Sequence, residues 1–264
     1  MHKKRWIIIT AVVLAVVLLW LLWGNLTVGL TEISLEDKGL PGNFNGFKIA
    51  HVSDLHNSHL WKQVIEKLQK AKPDIICITG DIVDCSKTDL SPTVDFVKAA
   101  MQIAPCYYVT GNHELNLDSA AYERLIGGLK AMGVTVLENE TVTIRRGDHQ
   151  IHLIGVPWDS SLYKGEAAQL DAYRILLSHA PERFDSYVEA GFDLVLAGHA
   201  HGGQFRLPLL GGLYAPGQGV FPKYDSGIFA IGRTDMEVSR GIGNSVIPVR
   251  FANRPEVILI VLKA

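Results

Sequence analysis

Apolar residues in this chain fall into short runs that alternate with longer segments of mixed polarity. Runs of this kind, rich in β-branched residues and bounded by glycine or polar residues, predict buried strands. Five such strands are predicted over residues 47–53, 74–79, 106–110, 173–177 and 193–197. An apolar stripe at helical spacing predicts a helix over 60–71. Ser91-Pro92 and Asp118-Ser119 have the residue types that begin two further helices.

The pattern then changes to hairpins. Residues 142–146 and 150–156 alternate in polarity on either side of a Gly147-Asp148 turn. Further strands are predicted at 228–231, 235–239 and 257–262. Alternating α/β units joined to antiparallel strands predict an α/β fold with two stacked mixed sheets flanked by helices.

A long apolar stretch occupies residues 6–23, where Thr10 is the only clearly polar residue. As a helix it spans roughly 27 Å, close to the hydrocarbon thickness of a bilayer. Basic residues precede it and acidic residues follow it, which predicts a cytoplasmic tail at residues 1–5 and an extracytoplasmic body. We predict a single-pass anchor in the cell membrane. The alternative is a cleaved signal peptide, but the stretch is long for one and no small-residue cleavage site follows it.

The remaining composition is that of one globular domain. Residues 24–46 are predicted as a juxtamembrane segment with turns, and residues 47–264 as a single catalytic domain. The net charge is −2, of which Lys3, Lys4 and Arg5 contribute three positive charges, so the rest of the chain carries −5. A mildly acidic body argues against a nucleic-acid surface, which needs a basic stripe. Nothing in the sequence indicates an obligate protein partner.

Short polar blocks follow the five predicted strands where the strands end. The blocks are Asp54-Leu55-His56, Gly80-Asp81, Gly111-Asn112-His113-Glu114, Ser178-His179 and Gly198-His199-Ala200-His201. Ligands of α/β sheets bind beyond the carboxyl ends of strands, so distant loops can converge on one crevice. The i, i+2 spacing within the first and last blocks would put both side chains on one face if the chain is still extended there.

Carboxylate, amide oxygen and imidazole are donors that suit manganese, iron and zinc. Seven such side chains can hold two ions if one carboxylate is shared. The three cysteines, Cys77, Cys85 and Cys106, form no CxxC pattern, so they are not expected to bind metal. Cys77 is predicted in the core, and an oxidising exterior would permit a disulfide between Cys85 and Cys106.

In their order, these blocks resemble the calcineurin-like metallophosphoesterase superfamily, whose pattern is DxH, GD, GNH[DE], H and GHxH. The resemblance spans residues 47 to 264 and implies a four-layer α/β/β/α sandwich. It implies that two divalent ions, most often manganese but also iron, zinc or magnesium, are held by two ligand sets that share Asp81. These sets are Asp54, His56, Asp81 and His201, and Asp81, Asn112, His179 and His199.

The same resemblance implies hydrolysis of a phosphate ester by a hydroxide that bridges the two ions. His113 is then the proton donor to the leaving oxygen, oriented by Asp84. Glu114 is either a hydrogen-bond partner of a ligand or a surface residue at a helix start. His59 and Arg240 are weaker candidates for contact with substrate, with surface roles as the alternatives.

A resemblance to the bacterial, membrane-linked YkuE-like branch of the superfamily rests on three short segments: His201-Gly202-Gly203-Gln204, Ser239-Arg240-Gly241-Ile242-Gly243 and Pro255-Glu256. The predicted substrate is a phosphate-containing small molecule or lipid, such as a precursor of the cell envelope. Apolar residues in 202–227 admit an acyl chain, rest on lipid headgroups or simply cover the second sheet. One alternative function is a UDP-2,3-diacylglucosamine pyrophosphatase at the cytoplasmic face. Another is a catalytically silent metal-binding scaffold, although such relatives typically lose ligands and none is lost here.

Overall fold

The predicted apolar runs form strands that are buried on both faces, as expected for strands between layers. The structure is a computed structural model that describes residues 2–87, 89–160, 170, 172–244 and 247–264. Its helices are α1 His2–Leu26, α2 Trp61–Ala71, α3 Ser91–Ala100, α4 Asn112–Leu115, α5 Ser119–Ala131 and α6 Phe184–Ala190. Its strands are β1 Gly29–Glu36, β2 Lys48–Val52, β3 Ile75–Thr79, β4 Cys106–Val109, β5 Thr135–Val136, β6 Glu140–Arg146, β7 His149–Val156, β8 Tyr173–Ser178, β9 Leu194–Ala197, β10 Arg206–Leu207, β11 Gly211–Gly212, β12 Tyr214–Ala215, β13 Gly219–Val220, β14 Gly227–Ile231, β15 Thr234–Val238 and β16 Glu256–Lys263.

Two mixed sheets of six strands carry the fold. The first has the order β1-β16-β2-β3-β4-β5, and all its neighbours are parallel except β16 and β2. The second has the order β14-β15-β9-β8-β7-β6, in which the hairpins at both edges are antiparallel and the four central strands are parallel. The prediction of two mixed sheets is confirmed.

Three apolar layers lie between four layers of structure. The central layer packs the sheets together, with Ile49 and Cys77 from one sheet near Ile175 and Leu194 from the other. Helices α2, α3 and α5 cover the outer face of the first sheet. Helix α6 covers the outer face of the second. This is the α/β/β/α sandwich that the sequence analysis predicted.

The segment 24–46, predicted to contain turns, also contains a strand. Strand β1 pairs in parallel with β16 along its full length, from Gly29 opposite Glu256 to Glu36 opposite Lys263. The segment therefore contributes an edge strand to the first sheet. Only Thr27 and Val28 separate it from helix α1.

Helix α1 has no side chain buried in the domain over most of its length. It is long and apolar enough to cross a membrane, as judged by length and composition. Its last turn is fixed to the domain. The Asn25 side chain accepts a hydrogen bond from Arg250 N at 2.7 Å and donates one to Arg250 O at 2.9 Å.

Residues 202–227, predicted as a loop, form two short hairpins, β10–β11 and β12–β13. Ala215 and Tyr224 join the apolar layer under α6, so part of the segment does cover the second sheet. Leu210 and Phe221 are exposed at the surface. The cysteines are free thiols, with Cys77 and Cys106 buried and Cys85 exposed, so no Cys85–Cys106 disulfide is present.

Candidate metal centre

The loops after β2 and β9 bring three of the predicted ligands together. His201 Nε2 lies 3.3 Å from Asp54 Oδ1 and 3.2 Å from His56 Nε2. Asp54 and His56 are fully buried and His201 is nearly so. Two imidazoles and one carboxylate thus face a common point from two sheets.

A second group forms around Asp81 at the end of β3. His179 Nε2 lies 3.2 Å from Asp81 Oδ2, and His199 has a donor atom within 4.8 Å of both. Asp81 Oδ2 is also 3.6 Å from His56 Nε2, so this carboxylate lies between the two groups. Asn112 lines the same cleft. All seven predicted ligands are therefore brought to one edge of the stacked sheets.

The backbone beneath these donors is unusual. Five of the seven ligands have positive φ: Asp54 at 53°, His56 at 48°, Asp81 at 51°, His199 at 66° and His201 at 47°. The chain is therefore not extended at the i, i+2 pairs, so the condition for both side chains to share one face of a strand is not met. The strands end before the ligands, and left-handed turns aim the side chains instead. His199 and His201 point to different groups as a result.

Two glycines let the loops approach each other. Gly80 has φ +80°, and a Cβ there would lie 2.5 Å from Gly111 N. A Cβ on Gly111 would lie 2.3 Å from Asp81 Oδ1. Any larger residue at either position would push the ligand loops apart.

Glu114 holds the same loops together from below. It is fully buried, and its carboxylate accepts hydrogen bonds from Asp81 N, Ile82 N and Gly111 N at 2.7 to 2.9 Å. Burial and the nearby Asp81 carboxylate raise the pKa of Glu114 to about 7. The sequence left two roles open for Glu114. The structure supports the role of hydrogen-bond partner to the Asp81 loop and contradicts that of a surface residue.

The carboxylates of the site are ionised. Burial raises the pKa of Asp81, but the charge and proximity of His179 outweigh it and lower that pKa below its usual value. Burial likewise opposes the effect of His201 and the other imidazoles on Asp54, whose pKa is held well below its usual range. Against the same burial, the two carboxylates raise the pKa of His179 to about 10. The same two carboxylates that favour a positive charge on His179 would also favour a metal cation at this position.

Several donor atoms suit a metal. Nδ1 of His179 donates to Thr79 O at 2.6 Å, so if a cation replaced the Nε2 proton of the charged ring, the Nε2 lone pair would face that cation beside Asp81. His179 Nε2 and Asn112 Oδ1 are buried and have no hydrogen-bond partner among the described residues. Burial lowers the pKa of His199 to about 4 and that of His201 to about 3, so both rings are neutral at pH 7 and can offer a lone pair to a metal. The residues therefore fit two divalent cations.

Comparison with known proteins agrees with this geometry. A sequence model of the calcineurin-like phosphoesterase family matches residues 47–203. The chain belongs to that family. It is 32% identical to the uncharacterized metallophosphoesterase YkuE of Bacillus subtilis, over 89% of this chain and 85% of that one. It is also 32% identical to the phosphodiesterase YaeI of Escherichia coli, over 82% of each chain.

Two further likenesses bear on the anchor and the fold. The transmembrane protein with metallophosphoesterase domain of Danio rerio is 26% identical over 88% of this chain and 56% of its own. The Thermus thermophilus sulfate thiohydrolase SoxB superposes with a TM-score of 0.51 at 12% identity, over 85% of this chain and 57% of its own, which shows a shared fold. The chain is thus a metal-dependent phosphoesterase of the YkuE-like branch, and its apolar N-terminal helix fits a membrane protein.

His113 and Asp84 lie farther apart than the hydrogen-bonded pair that was predicted. His113 Nδ1 is 3.7 Å from Asp84 Oδ1, which is beyond hydrogen-bond distance. Nδ1 instead accepts a hydrogen bond from Cys85 N at 3.2 Å. The Asp84 carboxylate accepts from Ser86 and pairs with Lys87 at 2.9 Å. The orientation of His113 is thus set by a backbone N–H, with Asp84 as a neighbouring charge.

The two weaker candidates lie outside the cleft. His59 is exposed beside Trp61 and Asp89 in a separate depression. Arg240 Nε lies 3.3 Å from Glu256 Oε1, on the side of the domain that faces helix α1. Neither side chain lines the cleft beside the ligands among the described residues.

Two residues of the site were missed by the sequence analysis. The Trp158 ring packs on His199 and His179, with centroids 4.5 and 5.6 Å apart. Its signal was available, because Trp158 follows the end of a strand as the ligand blocks do. Arg250 is almost fully buried, and its Nη2 lies 3.4 Å from His201 Nδ1. No local pattern marks that position as buried.

The ligands open onto a cleft of about 230 Å³. Asp81, Asn112 and His113 form one wall, while Tyr214 and Ile247 form an apolar edge. Tyr214 and Ile247 are 52% and 42% exposed, so this edge is shared between cleft and solvent. The cleft therefore offers a charged floor with an apolar rim.

Proposed function

We propose that the protein is a membrane-anchored phosphohydrolase that uses two divalent ions to cleave a phosphoester or pyrophosphate bond. The single observation that carries this proposal is the position of Asp81 between two groups of buried donors. A carboxylate between two such groups could be shared by two neighbouring ions. The relative YaeI, named a phosphodiesterase, supports the same reaction class.

The ligands divide into two proposed sets that share Asp81. Asp54, His56, Asp81 and His201 would hold one ion, and Asp81, Asn112, His179 and His199 the other. Bound ions supply Lewis acidity to the phosphoryl oxygens and a strong oxygen nucleophile at neutral pH. We propose manganese first, with iron, zinc or magnesium as the other ions that this donor set accepts.

His113 is proposed to protonate the leaving oxygen. Its Nδ1 is an acceptor of the Cys85 N–H, so the neutral ring carries its proton on Nε2. The ring is edge-on to His56, with centroids 4.6 Å apart, and it lines the cleft. Asp84 would act through its charge on His113, and Cys85 N would position the ring.

The apolar rim supports a substrate with a lipid part. Tyr214 and Ile247 border the cleft, and Leu210 and Phe221 are exposed on the neighbouring hairpins. A phosphate at the ligands would leave an attached acyl or polyprenyl chain beside these residues. We propose a lipid or cell-envelope precursor as substrate, with the N-terminus cytoplasmic and the cleft extracytoplasmic.

Two alternative functions are tested together with the proposal. A UDP-2,3-diacylglucosamine pyrophosphatase would use the same site but would require the domain in the cytoplasm. A silent scaffold would bind metal without turnover, yet the full set of ligands and His113 is present.

The test begins with full-length protein that has been stripped of metal. The protein is reloaded with Mn²⁺, Zn²⁺, Fe²⁺ or Mg²⁺ and assayed on bis-p-nitrophenyl phosphate and on lipid-linked pyrophosphates. We expect turnover that depends on metal, with two ions bound per chain by elemental analysis. Asp81→Ala should lose both ions and at least about 10³-fold in rate. The matched control Asp95→Ala removes an exposed carboxylate and should retain both. One ion at saturation, or metal-replete protein without activity, would refute the two-metal hydrolase.

A further inference from the structure

A second cavity lies between the end of helix α1 and the domain. It has a volume of about 170 Å³ and shares no lining residue with the catalytic cleft among the described residues. Trp20 and Trp23 line it from the helix, and Arg240, Arg250, Asn253 and Arg254 line it from the domain. The cavity is thus bounded on one side by the proposed anchor and on the other by basic side chains.

The charge of this cavity is positive. Three guanidinium groups line it, and no carboxylate is among its described lining residues. Glu256 lies beside Arg240 and offsets part of the charge. Within the described chain, the two terminal nitrogens of Arg240 have no hydrogen-bond partner, while its Nε lies in the ion pair with Glu256, and Asn253 Oδ1 is buried without a partner. The terminal donors of Arg240 suit a phosphate oxygen, and Asn253 Oδ1 would accept a hydrogen bond from a hydroxyl group of a lipid headgroup.

Arg250 and Arg254 differ in how much of each guanidinium is already hydrogen-bonded within the protein. Arg250 uses its guanidinium within the protein, donating to Asn244 Oδ1, Arg240 O and Gly243 O. Arg254 donates to Thr27 Oγ1 at 2.8 Å and to Val28 O at 2.9 Å. Its guanidinium carbon also stacks 4.4 Å from the Trp23 ring centroid, and Nη1 has no partner among the described residues. Arg240 and Arg254 are therefore the two groups available to an anion.

The tryptophans place this cavity at the level of lipid headgroups. Trp20 and Trp23 are 42% and 51% exposed, and they lie in the last two turns of α1. Tryptophan at the end of a membrane-spanning helix favours the interface between hydrocarbon and water. Trp20 packs edge-on against Phe251, with centroids 5.4 Å apart, so the domain touches the helix at that depth.

We propose that this cavity binds the phosphate of an anionic phospholipid headgroup. The phosphate would lie between Arg240 and Arg254, and the acyl chains would run along the apolar surface of α1. A lipid fits better than a free phosphate because one wall of the cavity is the interfacial end of the helix. The proposal rests on the membrane anchor described above, and it does not require the hydrolytic activity.

Native mass spectrometry of the full-length protein in detergent tests this site. Dioleoylphosphatidylglycerol or dioleoylphosphatidylcholine is added in the presence of EDTA, so that no metal-dependent hydrolysis occurs. We expect one phosphatidylglycerol to be retained and phosphatidylcholine to be retained more weakly. Arg240→Gln and Arg254→Gln should each weaken retention about tenfold, the loss of one charged hydrogen bond. Thermal unfolding of each variant shows that it remains folded.

Two variants act as matched controls. Arg124→Gln removes an exposed guanidinium on α5, which packs near β5 at the opposite edge of the first sheet from α1. Tyr214→Ala alters the rim of the catalytic cleft. Both should retain phosphatidylglycerol as the unaltered chain does. Loss of the lipid in Tyr214→Ala would place it in the catalytic cleft and overturn the proposal.

Two other outcomes would also overturn it. Equal retention of both lipids by the unaltered chain would show that charge plays no part. Displacement of phosphatidylglycerol by millimolar glycerol phosphate or inorganic phosphate would show a site for soluble anions. Either result leaves the two-metal assay unaffected, so the two proposals fail separately.

Discussion

At the scale of single residues, the ligands are held by backbone that most side chains avoid. Asp54, Asp81 and His201 have positive φ, which costs about 1–3 kcal/mol at each position. Hydrogen bonds between loops maintain this conformation, since Asp54 N donates to Gly80 O at 3.1 Å and His56 N to Asp81 O at 3.0 Å. Hydrogen bonds within the protein therefore support the conformation of the donor loops.

Gly80 tests this arrangement. Gly80→Ala would place a methyl group 2.5 Å from Gly111 N at φ +80°. We expect loss of metal binding together with a drop in unfolding temperature. Gly219→Ala is the matched control, because its φ is +78° but nothing lies within 4 Å, so it should cost only about 1–2 kcal/mol of strain. Equal effects of the two variants on metal content would remove the close approach as the cause.

His113 is tested through the leaving group. His113→Ala should keep both ions but slow hydrolysis of alkyl esters by about 10²-fold or more, since a general acid contributes that much. Esters of p-nitrophenol need little protonation, so their hydrolysis should change far less. The measurement is the ratio of the two rates, with His149→Ala, an exposed residue of β7, as the control. An unchanged ratio in metal-replete protein would exclude His113 as the proton donor.

The convergence of these seven side chains was predictable because each of them follows a recognisable strand. Their conformations were not, since positive φ depends on hydrogen bonds between loops far apart in sequence. The burial of Arg250 could not be predicted for a related reason. Its neighbours Val249 and Phe251 are exposed, and only the folded chain shows that Arg250 is buried.

At the scale of elements, α1 is connected to the metal centre through one side chain. Asn25 binds the backbone of Arg250, and the Arg250 guanidinium reaches His201. Burial lowers the pKa of Arg250 to about 10, which still leaves it charged at neutral pH. Removing this guanidinium would take away the hydrogen bonds that it donates to the Arg240 and Gly243 carbonyls.

Arg250→Gln should therefore weaken metal binding by about 10- to 100-fold, because the loop that Arg250 holds also holds the Asp54 backbone, with Gly243 N donating to Asp54 O at 2.7 Å. Asn25→Ala should have a smaller effect in the same direction, because Arg250 itself remains. Isothermal titration with Mn²⁺ measures both. Arg233→Gln, in which the lost guanidinium is 68% exposed, is the control. Unchanged affinity in Arg250→Gln would mean that the hydrogen bonds donated by this guanidinium have no bearing on the metal.

Most elements could be predicted from local pattern, but β1 could not. Its sequence is half polar, as befits an edge strand, and it follows directly on a helix. Its partner β16 lies at the far end of the chain. A pairing over that separation leaves no signal in either segment alone.

At the scale of the whole molecule, the side of the membrane that carries the domain is open to direct measurement. Cys85 is exposed, whereas Cys77 and Cys106 are buried. An impermeant maleimide should label Cys85 in spheroplasts if the domain is extracytoplasmic. Cys85→Ser should abolish the labelling. Labelling only after lysis would place the domain in the cytoplasm and favour the diacylglucosamine pyrophosphatase.

The fold class could be predicted because strands, helices and ligand blocks occur in one regular order. The cavity beside α1 could not, since it arises where the first and last parts of the chain meet.

The junction between α1 and β1 has one more consequence for an anchored enzyme. Two residues join them, of which Val28 is fully buried and Thr27 bonds to both Trp23 O and Arg254. So short and constrained a connection gives the domain little rotational freedom about its anchor. If α1 is the proposed anchor, the cleft would stay at a nearly constant height above the lipid, and a lipid substrate would reach it by lateral diffusion in two dimensions.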